Sequence, residues 1–158
     1  MAQSSVDLGE LERFIVAAKA RTYVGHGAAS RSSRPGSHDI AHAEGEWSYL
    51  DSYFGGTDFL GQEVVWRRGT PVWAMNYHGR ILEPGQIDAA RAGQVIQASL
   101  RALYGEGRFL GGFRHEEGRA VYVDTSTGDV AAFRGQEWIE IGSVRVYELG
   151  YHGGLIRD

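Results

Sequence analysis

The stretch that decides the fold runs from Trp47 to Gly79 and reads WSYLDSYFGGTDFLGQEVVWRRGTPVWAMNYHG. Aromatic and aliphatic residues alternate with polar ones along much of it, and a β-strand turns successive side chains to opposite faces. Residues 55–58 and 68–69 interrupt this pattern with glycines and polar residues that are typical of turns. The stretch therefore predicts three antiparallel strands, at 47–54, 59–67 and 71–79, joined by two hairpins.

The lengths of the two turns predict which side chains share a face. A four-residue loop at 55–58 pairs Phe54 with Phe59, and a two-residue turn at 68–69 pairs Trp66 with Pro71. Both hairpins then agree on one aromatic face, which carries Trp47, Tyr49, Tyr53, Leu60, Val64, Trp66, Trp73, Met75 and Tyr77, with Asp51 and Gln62 as its polar groups. The smaller and more polar opposite face carries Ser48, Leu50, Ser52, Phe54, Glu63, Val65, Val72, Ala74, Asn76 and His78.

Two helices are predicted outside this stretch. Residues 7–20 show apolar residues at helical spacing, and Asp7 with Glu10 forms a capping box at their start. A second helix is expected from Pro84, a residue favoured in the first helical turn, to about Tyr104. Residues 25–46 have no clear period and are predicted to form a long loop.

The last third of the chain predicts five more strands, at 109–114, 119–125, 129–134, 137–141 and 143–149, with turns at 127–129 and 134–136. Strands at hairpin spacing with few helices favour an α+β fold, in which two principal helices pack on a mainly antiparallel sheet. No clean internal repeat is evident. A helix followed by three strands nevertheless occurs loosely twice, which leaves a pseudo-duplicated arrangement open.

Composition excludes several classes of protein. The 158 residues suit a single domain spanning 1–158, and the absence of cysteine excludes disulfides and thiolate chemistry. The net charge of −4, without a cluster of basic residues, argues against nucleic-acid binding. A polar, acidic start and the lack of a long apolar run predict a cytoplasmic protein without a leader or a membrane span.

The aromatic face has three interpretations: ordinary core beneath the helices, the wall of a ligand pocket, or a self-association surface. Tryptophan and tyrosine favour the pocket, because their N–H and O–H groups need partners when they are buried. Asp51 also needs an explanation, since a carboxylate among aromatic rings is costly unless it is paired. The alternatives are an arginine partner (Arg108, Arg114 or Arg119), a raised pKa, or a polar or cationic group of a ligand.

Candidate site residues follow from that face and its reverse. Asp51, Glu63 and His78 are the candidate catalytic acids and bases, because a carboxyl group in an apolar pocket can have a pKa near neutrality. His38 and His42 have a spacing that can hold zinc on a helix, but their glycine-flanked context predicts a solvated loop, so no metal and no cofactor are expected. The candidate ligand-binding residues are Trp47, Tyr49, Tyr53, Gln62, Trp66, Trp73, Met75, Asn76 and Tyr77.

Three segments carry a resemblance to a known family: 33–37 (SRPGS), 49–59 (YLDSYFGGTDF) and 71–80 (PVWAMNYHGR), together with 146–156 near the end. They resemble an uncharacterised bacterial domain family whose members occur alone or behind an Xre-type helix-turn-helix segment. The resemblance extends from about residue 12 to the end. It implies a sensing role in some members and assigns no catalytic residue, and this chain is expected to be a stand-alone version.

Three hypotheses for function remain from the sequence. The first is a small-molecule binding module, whose aromatic pocket on the 47–79 hairpins holds a planar or cationic organic ligand. The second is a small cofactor-independent enzyme, such as an isomerase, cyclase or hydrolase, with Asp51 or Glu63 as general base. The third is a homo-oligomeric interaction domain, in which the aromatic rings are buried in a homodimer.

Overall fold

Nine strands within the described residues form one antiparallel sheet. The computed structural model describes residues 6–24 and 29–158. The order of the strands across the sheet is β1-β2-β3-β4-β5-β9-β8-β7-β6. Their bounds are β1 (Ala29–Ser30), β2 (His38–Glu44), β3 (Trp47–Gly55), β4 (Phe59–Arg67), β5 (Thr70–Ile81), β6 (Phe113–Glu117), β7 (Ala120–Asp129), β8 (Ala132–Ile141) and β9 (Val144–Leu155).

Two helices, α1 (Leu8–Lys19) and α2 (Ala89–Gly105), pack on the sheet, and the predicted α+β fold is confirmed. An aspartate caps each helix: the side chain of Asp7 accepts a hydrogen bond from the backbone N–H of Glu10, and that of Asp88 accepts one from Arg91, both at 2.7 Å. Each bond satisfies an N–H group that has no partner within the helix. A π-helical turn, Ala20–Val24, extends α1. None of the described helices is both long and apolar enough to cross a membrane.

The structure corrects the bounds of two predicted elements. The second helix begins at Ala89 instead of Pro84, because Asp88 provides its cap and residues 83–87 form turns on the carbonyl oxygen of Glu83. The prediction of a loop at 25–46 is wrong for the residues of β1 and β2. These residues form strands, and β2 pairs along its whole length with β3. Residues 25–28 of that loop lie outside the described residues.

The predicted register of the first hairpin is wrong by one residue. Gly55 has a φ of 89°, a conformation that favours glycine, and it pairs with Phe59, so the loop has three residues instead of four. Pairing in the second hairpin shifts between Val65 and Trp66, next to Pro71, which lacks the N–H group for a regular ladder. Because a shift of one residue reverses a strand's faces, Leu60, Gln62, Val64 and Trp66 lie on the opposite face, and Gly61, Glu63 and Val65 take their places.

Three predictions in the last third are also wrong. Residues 134–136 lie inside β8 and form no turn: a Cβ atom on Gly135 would stand closer than 3.0 Å to the ring of Tyr151, so this glycine serves close packing. Residues 109–112 are not a strand, because the guanidinium group of Arg108 binds the carbonyl oxygens of Leu110 and Gly112 there. The predicted turn at 127–129 lies at the end of β7, and the chain reverses at 130–131.

The described chain consists of two halves with the same arrangement. The first half is α1 with β2–β5, and the second half is α2 with β6–β9. They meet in the middle of the sheet, where β5 pairs with β9 and Tyr77 lies opposite Tyr151. Equivalent registers place five residues of each half at matching positions on the face that carries the helices: Tyr49, Asp51, Gly61, Glu63 and Tyr77, and Tyr122, Asp124, Gly135, Glu137 and Tyr151. A pseudo-two-fold axis therefore passes between Tyr77 and Tyr151.

Candidate functional site

A cavity of about 270 Å³ lies between the sheet and the helices. Its floor comes from side chains of β3, β4, β5, β7, β8 and β9, and residues 89–104 of α2 cover much of it. Lys19 at the end of α1 and Phe109 after α2 contribute to its wall. Both halves of the chain therefore supply residues to the same cavity.

The first carboxylate pair, Asp51 and Glu63, lies on neighbouring strands and is buried. The ammonium group of Lys19 donates to both carboxylate oxygens of Glu63, at 2.8 and 2.9 Å, and Tyr49 donates to the same carboxylate. Asp51 accepts a hydrogen bond of 2.6 Å from Tyr77. One negative charge of this pair is thus neutralised within the protein, whereas the other is supported by a neutral hydroxyl.

Lys19 itself is held in a specific cage. Its Nζ atom lies 3.3 Å from the sulfur of Met75 and 5.4 Å from the centre of the Phe109 ring. Sulfur and an aromatic face both attract a desolvated ammonium group, so these contacts add to the ion pair with Glu63. An ammonium group in this cavity is thus stabilised by a carboxylate, a thioether sulfur and an aromatic ring together.

Burial changes the acidity of Asp51. Removal from water, together with the nearby charge of Glu63, raises the pKa of Asp51 to about 7, although the hydrogen bond from Tyr77 and the charge of Lys19 oppose the rise. A carboxyl group with such a pKa exchanges a proton close to neutral pH. Asp51 can therefore be either a neutral donor or a charged acceptor toward a bound molecule.

The second carboxylate pair, Asp124 and Glu137, lies at the equivalent position in β7 and β8 and is equally buried. Tyr122 donates to Glu137, as Tyr49 does to Glu63, and Tyr147 donates to its other oxygen at 3.1 Å. Asp124 accepts a bond of 2.8 Å from Tyr151, as Asp51 does from Tyr77. No lysine or arginine side chain of the described residues forms an ion pair with either carboxylate.

The second carboxylate pair is also less acidic than a carboxylate in water. Burial raises the pKa of Glu137 to about 7 and that of Asp124 to about 6. Burial and the nearby carboxylates also raise the pKa values of Tyr77 and Tyr122, so their hydroxyls stay protonated and act as donors. The cavity thus combines neutral hydroxyl donors with carboxyl groups that titrate near neutrality.

The structure brings six of the predicted site residues to the cavity. Glu63 is among them although it was expected on the opposite face, since the corrected register turns it inward. The partner of Asp51 is Tyr77, and the suggested arginine partner is wrong. The six residues that line the cavity are Tyr49, Asp51, Tyr53, Glu63, Met75 and Tyr77.

The other predicted site residues lie elsewhere. The indole N–H groups of Trp47 and Trp73 bind Glu10 and the carbonyl oxygen of Val130, which makes both rings part of the hydrophobic core. The remaining four residues lie on the opposite face of the sheet, where Asn76 bonds to Gln62 and to His152. These four are Gln62, Trp66, Asn76 and His78.

Half of the cavity was missed from the sequence, although the sequence contains a signal for it. Gly-Gln-Glu occurs at 61–63 and again at 135–137, and Tyr-His-Gly at 77–79 and 151–153, with the same separation in both cases. Each copy supplies cavity residues to one half. The missed residues include Lys19, Tyr23, Tyr104, Tyr122, Asp124, Glu137, Tyr147 and Tyr151.

The histidines with metal-like spacing lie in a strand instead of the predicted loop. His38 and His42 are both in β2, where His38 stacks on Tyr53 and His42 on Phe14. Within residues 6–24 and 29–158, no three histidine, aspartate or glutamate side chains converge at a point that could hold a metal ion.

Comparison with known proteins places the chain in a family. Residues 51–156 match the family described as "Domain of unknown function (DUF5680)". The chain belongs to this family. No curated protein and no solved structure matches the chain at a significant level. The matched segment of this DUF5680 member contains all four cavity carboxylates and excludes α1, which carries Lys19.

Proposed function

We propose that this DUF5680 protein is a small-molecule binding module whose cavity, between the sheet and the helices, holds a planar or cationic organic ligand. The observation that carries the proposal is the cavity of about 270 Å³, which is lined by aromatic rings and by four buried carboxyl groups. Ligand sites are typically apolar clefts with a few convergent polar groups, and this cavity has that composition.

The polar groups of the cavity support recognition of one orientation of the ligand. The hydroxyls of Tyr23 and Tyr104 line the cavity, and among the described residues no side chain or backbone group hydrogen-bonds to them. A hydroxyl that faces the cavity without a protein partner is free to donate to an acceptor atom of a ligand. Both tyrosines belong to a cavity that is also lined by Phe59 and Tyr147, whose rings stack on each other.

The proposed role is sensory and cytoplasmic. It is supported by the resemblance of this chain to a bacterial family whose members occur behind Xre-type helix-turn-helix segments. In such a role, occupancy of the cavity would stabilise one packing of α1 and α2 on the sheet. A partner would then recognise that packing, while the domain itself contacts no nucleic acid.

Native mass spectrometry of the protein purified from its own host tests the proposal. We expect the native mass to exceed that of the polypeptide. The difference should correspond to a small organic molecule that dissociates when the protein is denatured. Gly93→Leu should abolish the excess mass, because Gly93 lines the cavity and space around its Cβ position is open. Gly105→Leu makes the same change on the same helix outside the cavity and should keep the bound molecule.

Two outcomes would contradict a binding module. A monomer free of cargo that also binds none of a panel of planar amines and alcohols would leave the cavity as a packing defect. A dimer free of cargo would favour the homo-oligomer hypothesis instead. The aromatic rings that face the cavity belong to or pack against the chain's own core, so such a dimer would have to use another surface.

A second candidate function is a cofactor-independent enzyme, which the pKa of about 7 at Asp51 favours. A general base works best when its pKa is close to the working pH. Glu63 is a weaker candidate than Asp51, since Lys19 and Tyr49 already occupy its oxygens. The enzyme hypothesis predicts that Asp51→Asn lowers turnover of the identified cargo by about 10²-fold or more.

A further inference from the structure

The two halves of the cavity differ at a helix position that decides its charge. Lys19 follows its helix cap Asp7 by the same number of residues as Leu100 follows Asp88. Both side chains line the cavity. The first carboxylate pair therefore has an ammonium group from its own helix, whereas the second pair has an apolar side chain at the corresponding place.

The surroundings of the two places share a tyrosine and a glycine neighbour, although Glu137 accepts a further hydrogen bond of 3.1 Å from Tyr147. Glu63 and Glu137 each accept a hydrogen bond from a tyrosine on the neighbouring strand, Tyr49 and Tyr122 respectively. A glycine, Gly61 or Gly135, precedes each glutamate by two positions and leaves room for a tyrosine ring above it. The second half thus keeps the hydroxyl and carboxylate groups that surround Lys19 in the first half, without the lysine.

We infer that the second carboxylate pair, Asp124 and Glu137, is the subsite for an ammonium group of the ligand, which occupies there the place that Lys19 occupies beside Glu63. This inference rests on the proposed function and specifies it: the ligand is an amine with an attached planar or apolar group. The apolar part lies toward Ile96 and Leu100 of α2 and the aromatic rings of the cavity.

Charge balance supports this assignment. Four buried carboxyl groups face the cavity, and Lys19 is the one lysine or arginine among the described residues that line it. Burial raises the pKa values of Asp124 and Glu137, although hydrogen bonds from tyrosines and the charge of Lys19, joined by that of Arg108 for Asp124, oppose the rise. A bound ammonium would supply the missing partner, as the internal ammonium does for Glu63.

Calorimetric titration with three matched indole compounds tests the inference. Tryptamine carries an ammonium group, indole-3-ethanol replaces it with a neutral hydroxyl, and indole-3-acetate replaces it with a carboxylate. At neutral pH the wild-type protein should bind tryptamine about 10-fold or more tightly than indole-3-ethanol, since a hydrogen bond to a charged group has that effect on affinity. Indole-3-acetate should bind most weakly of the three.

Leu100→Lys is the decisive variant, because it supplies to the second half the lysine that the first half has. It should weaken the binding of tryptamine more than the binding of indole-3-ethanol, so that the preference of about 10-fold for tryptamine is lost. Gly105→Lys adds the same charge to the same helix outside the cavity and should keep the preference. If Leu100→Lys does not fold, Glu137→Gln provides the same test, since it removes the carboxylate that holds the ammonium.

The possible results separate the inference from the proposed function. Equal binding of tryptamine and indole-3-ethanol, or an unchanged preference in a folded Leu100→Lys or Glu137→Gln variant, would overturn the ammonium subsite while the cavity remained a binding site. Absence of binding by all three compounds, together with absence of cargo in the purified protein, would overturn both.

Discussion

The first and second carboxylate pairs have equivalent backbone positions and two equivalent tyrosine partners each, but they differ in how their charge is balanced. Glu63 has a permanent ion pair with Lys19, which is itself buried. Glu137 has hydrogen bonds from Tyr122 and Tyr147 and no ion pair among the described residues. One fold therefore offers two solutions to a buried carboxylate: a fixed countercharge, or a raised pKa that allows protonation.

Replacing Lys19 should have the largest effect on stability. Lys19→Leu makes the first half resemble the second and leaves Glu63 buried without its countercharge. We expect the free energy of unfolding at pH 7 to fall by about 3–5 kcal/mol, as when one partner of a buried ion pair is removed. Denaturant unfolding measures this loss.

The double variant Lys19→Leu with Glu63→Gln is the matched control, because it removes both charges together. It should recover most of the loss, since a buried ion pair and a neutral replacement of similar volume often have similar stability. A loss below about 1 kcal/mol in the single variant, typical of an exposed pair, would show that Lys19 does not balance this half of the cavity.

The pH dependence of stability should reveal the carboxyl groups that lack a countercharge. The pKa values of Asp51 and Glu137 are about 7 in the folded protein, against ordinary values of 3.8 and 4.5, and that of Asp124 is about 6. At a pH between a group's ordinary pKa and its raised pKa, the folded protein binds more protons than the unfolded chain. The free energy of unfolding therefore rises as pH falls through this range. We expect a gain of about 2–4 kcal/mol from pH 8 to pH 5.

Measurements above pH 5 separate the effect of the raised pKa values from that of Asp39, whose pKa is lowered in the folded protein. Burial disfavours ionisation of Asp39, but hydrogen bonds from Ser33, Ser37 and Ser52 outweigh it and hold the pKa of Asp39 well below its usual range. Its contribution is lost only below that range of pH. Glu137→Gln should reduce the dependence on pH, since Asp51 and Asp124 still contribute, and the exposed Glu116→Gln should leave it unchanged. A flat wild-type profile would contradict the raised pKa values.

The two glycines beneath the tyrosine rings should have smaller and nearly equal effects. A Cβ atom on Gly61 or on Gly135 would lie closer than 3.0 Å to Tyr77 or Tyr151 respectively. Either glycine-to-alanine substitution should cost about 1–3 kcal/mol in thermal or denaturant unfolding, because the ring must move away from its aspartate. Gly150→Ala, where the added atom meets nothing within 4 Å, should be close to neutral. A marked difference in stability between Gly61→Ala and Gly135→Ala would mean that the two halves pack less similarly than their strand registers indicate.

Alternation in the sequence predicted β3, β4 and β5 and the α+β class, but it missed β2 and could not decide the register. Gly55 suits a turn and a strand end equally well, and only its pairing with Phe59 shows which it is. That single residue determines whether Gln62 or Glu63 faces the helices. Site prediction is sensitive to such details because strand faces alternate with every residue.

Long-range partners were the other part that the sequence could not reveal. Lys19 has the position of an ordinary charged residue at a helix end, and its contact with Glu63 depends on how α1 lies across the sheet. Trp73 was predicted to bind a ligand, but its indole N–H donates to the carbonyl oxygen of Val130 in the distant β7–β8 turn. Composition alone could not distinguish this core tryptophan from one in a ligand site.

The pseudo-two-fold axis between Tyr77 and Tyr151 has a consequence for how the two halves can specialise. Two identical half-length subunits paired around such an axis would carry lysine at both helix positions or at neither. Joining the halves in one polypeptide removes that constraint, so position 19 can hold a lysine while position 100 holds a leucine. The first carboxylate pair then has a countercharge from the chain itself, and, on the inferred assignment of the ammonium subsite, the second pair takes its countercharge from a molecule that can dissociate.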